Sequence, residues 1–316
     1  MVRSAAAHLP RVPPTQAWAP TLVRDEMKYW LLKPDSRLRD SVRCYFVVEA
    51  ERRRAPKYEL HLPDGYSELV FTYRDGFERA PLGFAFDEKS GGAQMRRSYL
   101  IGARSHSVVT RDLGGFRVIG VKLEPRMLRR LMSTPLSELR NATVELRDLN
   151  HLSLLSLEER LSGASSPQHV ASVLDAFFFA QMRISTPAHT IVDQLIERIR
   201  ARRGAGTIAE CMQGIGADPR TLERAFVANV GMTPKKYARI VRFKHAYHAL
   251  LSQIAPRSSR ARVFPDCYLD GYYDQSHFYK DFRFFTGASP ATLLAMQTPT
   301  STAVTDHLLQ EDLSVA

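Results

Sequence analysis

Two short segments of this 316-residue chain carry side chains that could read nucleic acid. Arg220, Thr221, Glu223 and Arg224 lie around the apolar residues Leu222 and Phe226 of one. Gln275, Ser276, His277, Tyr279, Lys280 and Arg283 lie between Phe278, Phe282 and Phe285 of the other. An arginine can grip guanine O6 and N7 together, Gln275 can bond adenine twice, and Glu223 can accept from cytosine N4. His277 and Lys280 can reach guanine or phosphate, and hydroxyls hydrogen-bond phosphate or base. Arg220 is the expected base reader. Arg224 has a rival role, pairing with a nearby acid to hold the fold. Lys235 and Lys236 follow Pro234 at the start of a helix, a natural phosphate site. A bland reading stands beside each assignment: a solvated helix face.

The elements that must position these residues occur twice. Asp218-Pro-Arg-Thr-Leu-Glu-Arg-Ala-Phe ends in Gly231-Met-Thr-Pro234, and Asp274-Gln-Ser-His-Phe-Tyr-Lys-Asp-Phe ends in Gly287-Ala-Ser-Pro290. Every matched pair is offset by 56 residues, from 218→274 to 234→290, and such internal repetition signals a repeated structural unit. An aspartate caps the first turn of each helix, Pro219 fits the first helical position, and the apolar residues fall on one face. Gly231 and Gly287 stand where a left-handed residue ends each helix. Before the first copy, Thr207–Gly216 reads as a capped two-turn helix and a glycine turn, so the pair forms a helix-turn-helix. Pro234 to about Gln253 reads as one long helix of about 30 Å at 1.5 Å per residue. That is close to one turn of DNA, about 34 Å, so it could set two recognition helices in successive major grooves.

These strings carry a resemblance. Residues 190–296 resemble the DNA-binding half of AraC/XylS transcription regulators, most of all in Gly271-Tyr-Tyr-Asp-Gln-Ser-His-Phe-Tyr-Lys-Asp-Phe-Arg-Phe-Phe-Thr-Gly-Ala-Ser-Pro290. The resemblance implies two helix-turn-helix units joined by a long helix. One departure stands out: where the family's second unit begins with a regular alanine-rich helix, this chain has Val263-Phe-Pro-Asp-Cys-Tyr-Leu-Asp270. Pro265 is tolerable in a first turn and breaks a helix further in. Residues 255–262, ahead of it, read as a basic loop near phosphate.

Composition agrees without deciding. The net charge is +11, which favours an anionic partner. Residues 189–296 hold 16 Lys/Arg against 9 Asp/Glu, but the preceding part is as basic, so the motif rather than the charge locates the DNA face. Cys44, Cys211 and Cys267 show no zinc or disulfide spacing. No stretch reads as a membrane span or signal peptide, and a cytoplasmic protein is expected. His61 and His106 lack the closely spaced cluster of a cupin metal site, and His245 and His248 read as a solvated pair. No nucleophile elbow, phosphate loop or paired-carboxylate motif occurs.

Earlier in the chain the pattern is strand-like. Ser41–Val48, Tyr58–Leu62, Glu68–Tyr73, Tyr99–Ile101, Ser107–Thr110 and Phe116–Leu123 are short β segments, with turns at Pro63-Asp-Gly65 and Arg74-Asp-Gly76. His61-Leu-Pro-Asp-Gly-Tyr-Ser-Glu-Leu-Val-Phe, Ile101-Gly-Ala-Arg and Val118-Ile-Gly-Val-Lys-Leu-Glu-Pro125 resemble the β-rich N-terminal domain that a subset of the same regulators carries. Helices are expected from Pro125, over Leu152–Leu161, through Val170–Met182, and over Ile191–Ile199. The apolar face of Val170, Val173, Leu174, Phe177, Phe178 and Met182 reads as core, with a dimer contact as the rival reading.

The expected fold class is α+β: an N-terminal β-rich, cupin-like sandwich or barrel with helices, then an all-α double helix-turn-helix domain. The expected organisation is a disordered lead or misassigned start at 1–20, a regulatory and dimerisation domain at 21–185, and a DNA-binding domain at 189–296. Within the last lie helix-turn-helix units at 207–229 and 263–286 and a linker helix at 234–253; a disordered tail occupies 297–316. The expected function is a sequence-specific regulator bound to double-stranded promoter or operator DNA. A small-molecule effector and a homodimer are admitted as partners, and no cofactor, metal or membrane is called for. The competing class is a modification or repair enzyme with a catalytic β-domain fused to a DNA-binding module.

Overall fold

Strand Phe116–Leu123 shows how the first half is built. Its sequence FRVIGVKL is apolar at nearly every position, which suits a strand buried on both faces. In the computed structural model it is the centre of a seven-stranded antiparallel sheet. The structure describes residues 22–24, 27–51, 58–82, 93–184, 190–252 and 271–290. The strands in chain order are β1 (Leu22–Arg24), β2 (Met27–Leu32), β3 (Val42–Ala50), β4 (Tyr58–His61), β5 (Ser67–Arg74), β6 (Phe77–Pro81), β7 (Ala93–Met95), β8 (Tyr99–Ile101), β9 (Val108–Asp112), β10 (Phe116–Leu123) and β11 (Thr143–Glu145). The large sheet runs β1-β2-β3-β10-β5-β8-β11, and β4-β9-β6-β7 form a second sheet. The result is a two-layer sandwich.

Alternation along β10 assigns its two faces. Ile119, Val121 and Leu123 join Tyr45, Val47, Leu69 and Phe71 under the helices α2 (Leu152–Ser162) and α3 (Pro167–Ile184). Phe116 and Val118 join Met27, Tyr29, Val48 and Val70 on the other face, toward the small sheet. Gly120 lies on that inner face, where a Cβ would stand 1.9 Å from the Phe46 ring; only hydrogen leaves room for that ring. The α3 residues Val170, Val173, Leu174, Phe177 and Phe178 are buried in the chain's own core. Their burial explains the wide apolar face and leaves those side chains unavailable as a dimer surface.

Helix α1 (Pro125–Leu131) follows β10 directly. The second half consists of α4 (Ile191–Ala201), α5 (Ile208–Met212), α6 (Pro219–Val230), α7 (Pro234–Ser252) and α8 (Gln275–Thr286). One core joins them: Leu195 and Ile199 of α4, Leu222 and Phe226 of α6, Ile240 and Phe243 of α7, and Phe278, Phe282 and Phe285 of α8. Ala103, Leu60 and Leu62 of the β half pack into the same core. Further contacts cross between the halves. Leu136 N–H donates to Ala228 O at 2.8 Å, and Arg129 pairs with Asp193 at 2.8 Å. The Ser107 hydroxyl donates to the Phe285 carbonyl.

Candidate nucleic-acid interface

Helices α6 and α8 have equal lengths, 12 residues each, and the 56-residue offset holds at both their ends, 219→275 and 230→286. Their caps match as well. The Asp218 carboxylate accepts the Thr221 N–H at 2.8 Å, and the Asp274 carboxylate accepts the His277 N–H at 2.7 Å. The Thr221 N–H holds the Asp218 carboxyl below its ordinary value. Each helix ends on a left-handed glycine, Gly231 at φ +88° and Gly287 at φ +73°. The Thr207–Glu210 capping box starts α5, and Gly214, at φ +70°, turns the chain toward α6. The first helix-turn-helix is therefore fixed by local chemistry.

Burial sorts the residues of α6 cleanly. Leu222, Phe226 and Val230 are buried, whereas Arg220, Thr221, Glu223 and Arg224 are exposed on the opposite side. Arg220, Glu223 and Arg224 have no ion pair among the described residues, so the rival role of Arg224 as a fold-holding partner finds no acid. In α8, Gln275, Ser276, Lys280 and Arg283 are exposed, while His277 and Tyr279 are half-buried. His277 packs edge-on against Tyr272 at 5.1 Å, and Gln275 Nε2 reaches the Tyr279 hydroxyl at 3.5 Å. Lys235 is exposed and Lys236 half-buried in the first turn of α7, where Thr233 Oγ1 accepts the Lys236 N–H at 3.3 Å. The exposed cations thus sit at two helix faces and one helix start, with the aromatic residues behind them as support.

Sequence reasoning missed what joins the second unit to α7. Asp281 is 3% exposed. Its carboxylate accepts from Arg239 Nε at 2.8 Å and from the Tyr272 hydroxyl at 3.2 Å, and forms an ion pair with Arg242 Nη2 at 3.5 Å. Asp281 sits on the same face as Phe278 and Phe285, so its register was the available signal. The Pro265 departure, the basic stretch 255–262, the boundary between the two expected domains and the expected terminal segments lie outside the described residues. Helix α7 spans 19 residues, about 28 Å at 1.5 Å per residue.

A second concave site lies inside the sandwich. A cavity of about 140 Å³ is lined by apolar side chains, among them Tyr29, Phe46, Val70, Phe77, Phe116 and Val118. Glu59 and Asp112 also line it, and His61, Glu68, Arg79, Arg104 and Lys122 form a polar cluster in its wall. Arg104 pairs with Glu68 at 2.9 Å, and Lys122 pairs with Asp64 and, at 3.3 Å, with Glu68. Burial alone would raise the Glu68 carboxyl, but Arg104 and Lys122 outweigh it and hold it at about 2. Partial burial, then Arg104 and Arg79, lower the His61 imidazole below its ordinary value, and its Nε2 lies 2.9 Å from Thr110 Oγ1 and 3.7 Å from Glu59 Oε2. Arg79 is buried, gives one bond to Thr143 Oγ1, and keeps an Nε without a partner among the described residues. Burial and then Arg104 lower its guanidinium to about 10.

Burial pushes the Cys44 thiol up to about 12. Thiol reagents are therefore expected to label Cys44 in the folded chain at least about a hundredfold more slowly than after denaturation; equal rates would favour the enzyme reading. No metal-holding cluster of His, Cys, Asp and Glu occurs among the described residues, and no described helix is long and apolar enough to cross a membrane.

Comparison with known proteins matches these two halves separately. Residues 212–296 match a family described as a helix-turn-helix domain, and residues 31–145 match a domain of unknown function (DUF6597). No curated protein matches the chain. Among solved structures, ToxT from Vibrio cholerae aligns at 9% identity with a TM-score of 0.44, covering 78% of this chain and all of that one. A ToxT structure from the same organism, described as bound to unsaturated fatty acid, aligns at 11% identity and 0.40, covering 78% and 97%. Another, bound to (E)-4-(8-methylnaphthalen-1-yl)but-3-enoic acid, aligns at 11% and 0.41, covering 77% and 99%.

Proposed function

We propose, from the premise that residues 212–296 are a helix-turn-helix DNA-binding domain of the AraC class, that this transcription regulator reads two segments of one DNA face with α6 and α8. The observation that carries the reading is the duplication itself: two capped helices of equal length, one buried apolar face each, and cationic or amide side chains on the outer face. The role follows from elementary recognition chemistry. Arg220 and Gln275 stand in the first turns, the part of a recognition helix that meets base edges. Thr221, Glu223 and Arg224 extend the first surface; Ser276, His277, Tyr279, Lys280 and Arg283 extend the second. Lys235 and Lys236 hold phosphate at the start of α7.

The β-sandwich supplies control. Its cavity has room for a small organic molecule, an apolar wall, and a buried guanidinium with an unused donor in Arg79. A buried donor without a partner is costly, so the effector this site favours has an apolar body and an anionic group. Residues 21–185 act as the regulatory part in this reading, 189–296 as the DNA-binding part. Soluble cytoplasmic protein is the setting it implies.

The test is selection of genomic fragments by the full chain at near-physiological salt. A recurring motif with two half-sites about one turn apart supports the reading; salt-sensitive binding with no motif contradicts two-helix reading. Lys235→Ala is expected to weaken binding to all sequences alike and to reduce the salt slope by about one unit, because it removes one phosphate contact. A loss confined to one operator would instead make Lys235 a base reader.

A further inference from the structure

The cavity and the DNA-binding half share a ring of polar contacts. Lys122 lines the cavity and pairs with Asp64. The Asp64 carboxylate also accepts the Tyr66 N–H at 3.2 Å, closing a turn around Gly65, which has φ +83°. This turn presses on the helices: a Cβ on Gly65 would stand 2.9 Å from the Tyr237 ring of α7. The Tyr66 ring lies under two cations, Arg200 of α4 at 5.1 Å and Lys244 of α7 at 5.2 Å. Arg200 gives a two-pronged bond to Glu124 at 3.0 and 2.9 Å and donates from Nε to the Tyr237 hydroxyl at 2.7 Å. Glu124 follows Lys122 by two positions, so the chain itself closes the ring.

We propose that the Asp64-Gly65-Tyr66 turn transmits occupancy of the cavity to the DNA-binding domain, and that an anionic occupant loosens it. The proposal rests on the effector reading of the cavity. Lys122 is the ring member that also lines the cavity. An anion arriving beside Lys122 and Arg79 competes with Asp64 for the ammonium. Asp64 is 7% exposed, and a buried carboxylate deprived of its cation gains by moving toward water. Movement of Asp64 carries Gly65 off Tyr237 and Tyr66 off Arg200 and Lys244. Helices α4 and α7 then lose the Gly65 and Tyr66 contacts with the sandwich, while Arg200–Glu124, Arg129–Asp193 and Leu136–Ala228 keep the halves attached.

Hydrogen exchange on the full chain without DNA tests this coupling apart from DNA recognition. In Asp64→Asn and Tyr66→Leu, amides of α4 and of α7 up to Tyr247 are expected to exchange at least about fivefold faster, as loss of a buried polar tie should allow. Strand β10 should keep its wild-type protection, and Arg37→Gln, which removes an exposed pair, should match wild type throughout. The wild-type chain is then measured with 8-anilinonaphthalene-1-sulfonate, an apolar anion. Acceleration in α4 and α7 that is absent in Tyr66→Leu supports the proposal. Wild-type exchange of α4 and α7 in both variants overturns it, as does dye that protects the cavity strands and leaves both helices unmoved. A chain that takes up no dye counts against the effector reading, and the variants still decide the coupling.

Discussion

Asp281→Ala is expected to cost about 3–5 kcal/mol of stability in the C-terminal helices, the range for breaking a buried ion pair from one side. The substitution removes the acceptor for Arg239 and the Tyr272 hydroxyl together with the ion-pair partner of Arg242. Arg242, 15% exposed in its side chain, would be left half-buried with the Gly204 carbonyl and the Tyr272 ring but no acid among the described residues. Arg239 is 33% exposed and can recover water, which places the expected cost toward the lower end. Arg239 also lies over the Phe284 ring at 4.2 Å, so its release disturbs the packing of α8 on α7. Chemical denaturation of the full chain reads the loss, and footprinting should show the second half-site fading before the first. A change within about 0.5 kcal/mol would place Asp281 among ordinary surface residues and remove the account of how α8 is held.

Reversing both exposed arginines of α6, in Arg220→Glu/Arg224→Glu, is expected to abolish specific binding and leave stability almost untouched. Each lost contact is worth about 1–3 kcal/mol, so together they weaken operator binding by a factor of about 30 to 10⁴, before the added repulsion from phosphate. Neither arginine has an ion pair among the described residues, and both point away from the core. A glutamate in the first turn also suits the helix dipole better than an arginine does. The expected thermal midpoint is therefore unchanged or slightly raised. Titration of the selected DNA fragment and a thermal scan of the same sample check both halves of the prediction. Retained affinity would reduce α6 to a structural helix; a collapsed midpoint would show that the arginines hold the fold.

The contrast between Asp281 and Arg220 shows what was legible in the chain. Position 220 follows a cap and a proline and precedes a buried leucine, so its exposure could be read from helical period alone. Position 281 carries a charge at a core position of the same period. Its meaning depends on Arg239 and Arg242, roughly 40 residues earlier, and such pairing has no local signature. The strands divide in the same way. Tyr99–Ile101 and Phe116–Leu123 announce themselves by β-branched and aromatic runs, whereas Ala93–Met95 and Thr143–Glu145 are three-residue edges defined by their neighbours.

The α3 face makes the point for surfaces. Its spacing showed that the helix buries a broad apolar stripe, and the large sheet beneath it decided that the cover is internal. The sequence by itself determined the repeat, the caps, the left-handed glycines and the outward face of each recognition helix, because those rest on contacts within a few residues. Only the tertiary structure decided the cavity and its cluster of charges. Lys122, Glu68, Arg79 and Arg104 lie on or beside separate strands, and sheet register alone brings their charges together in the cavity wall, beside the turn that meets α4 and α7.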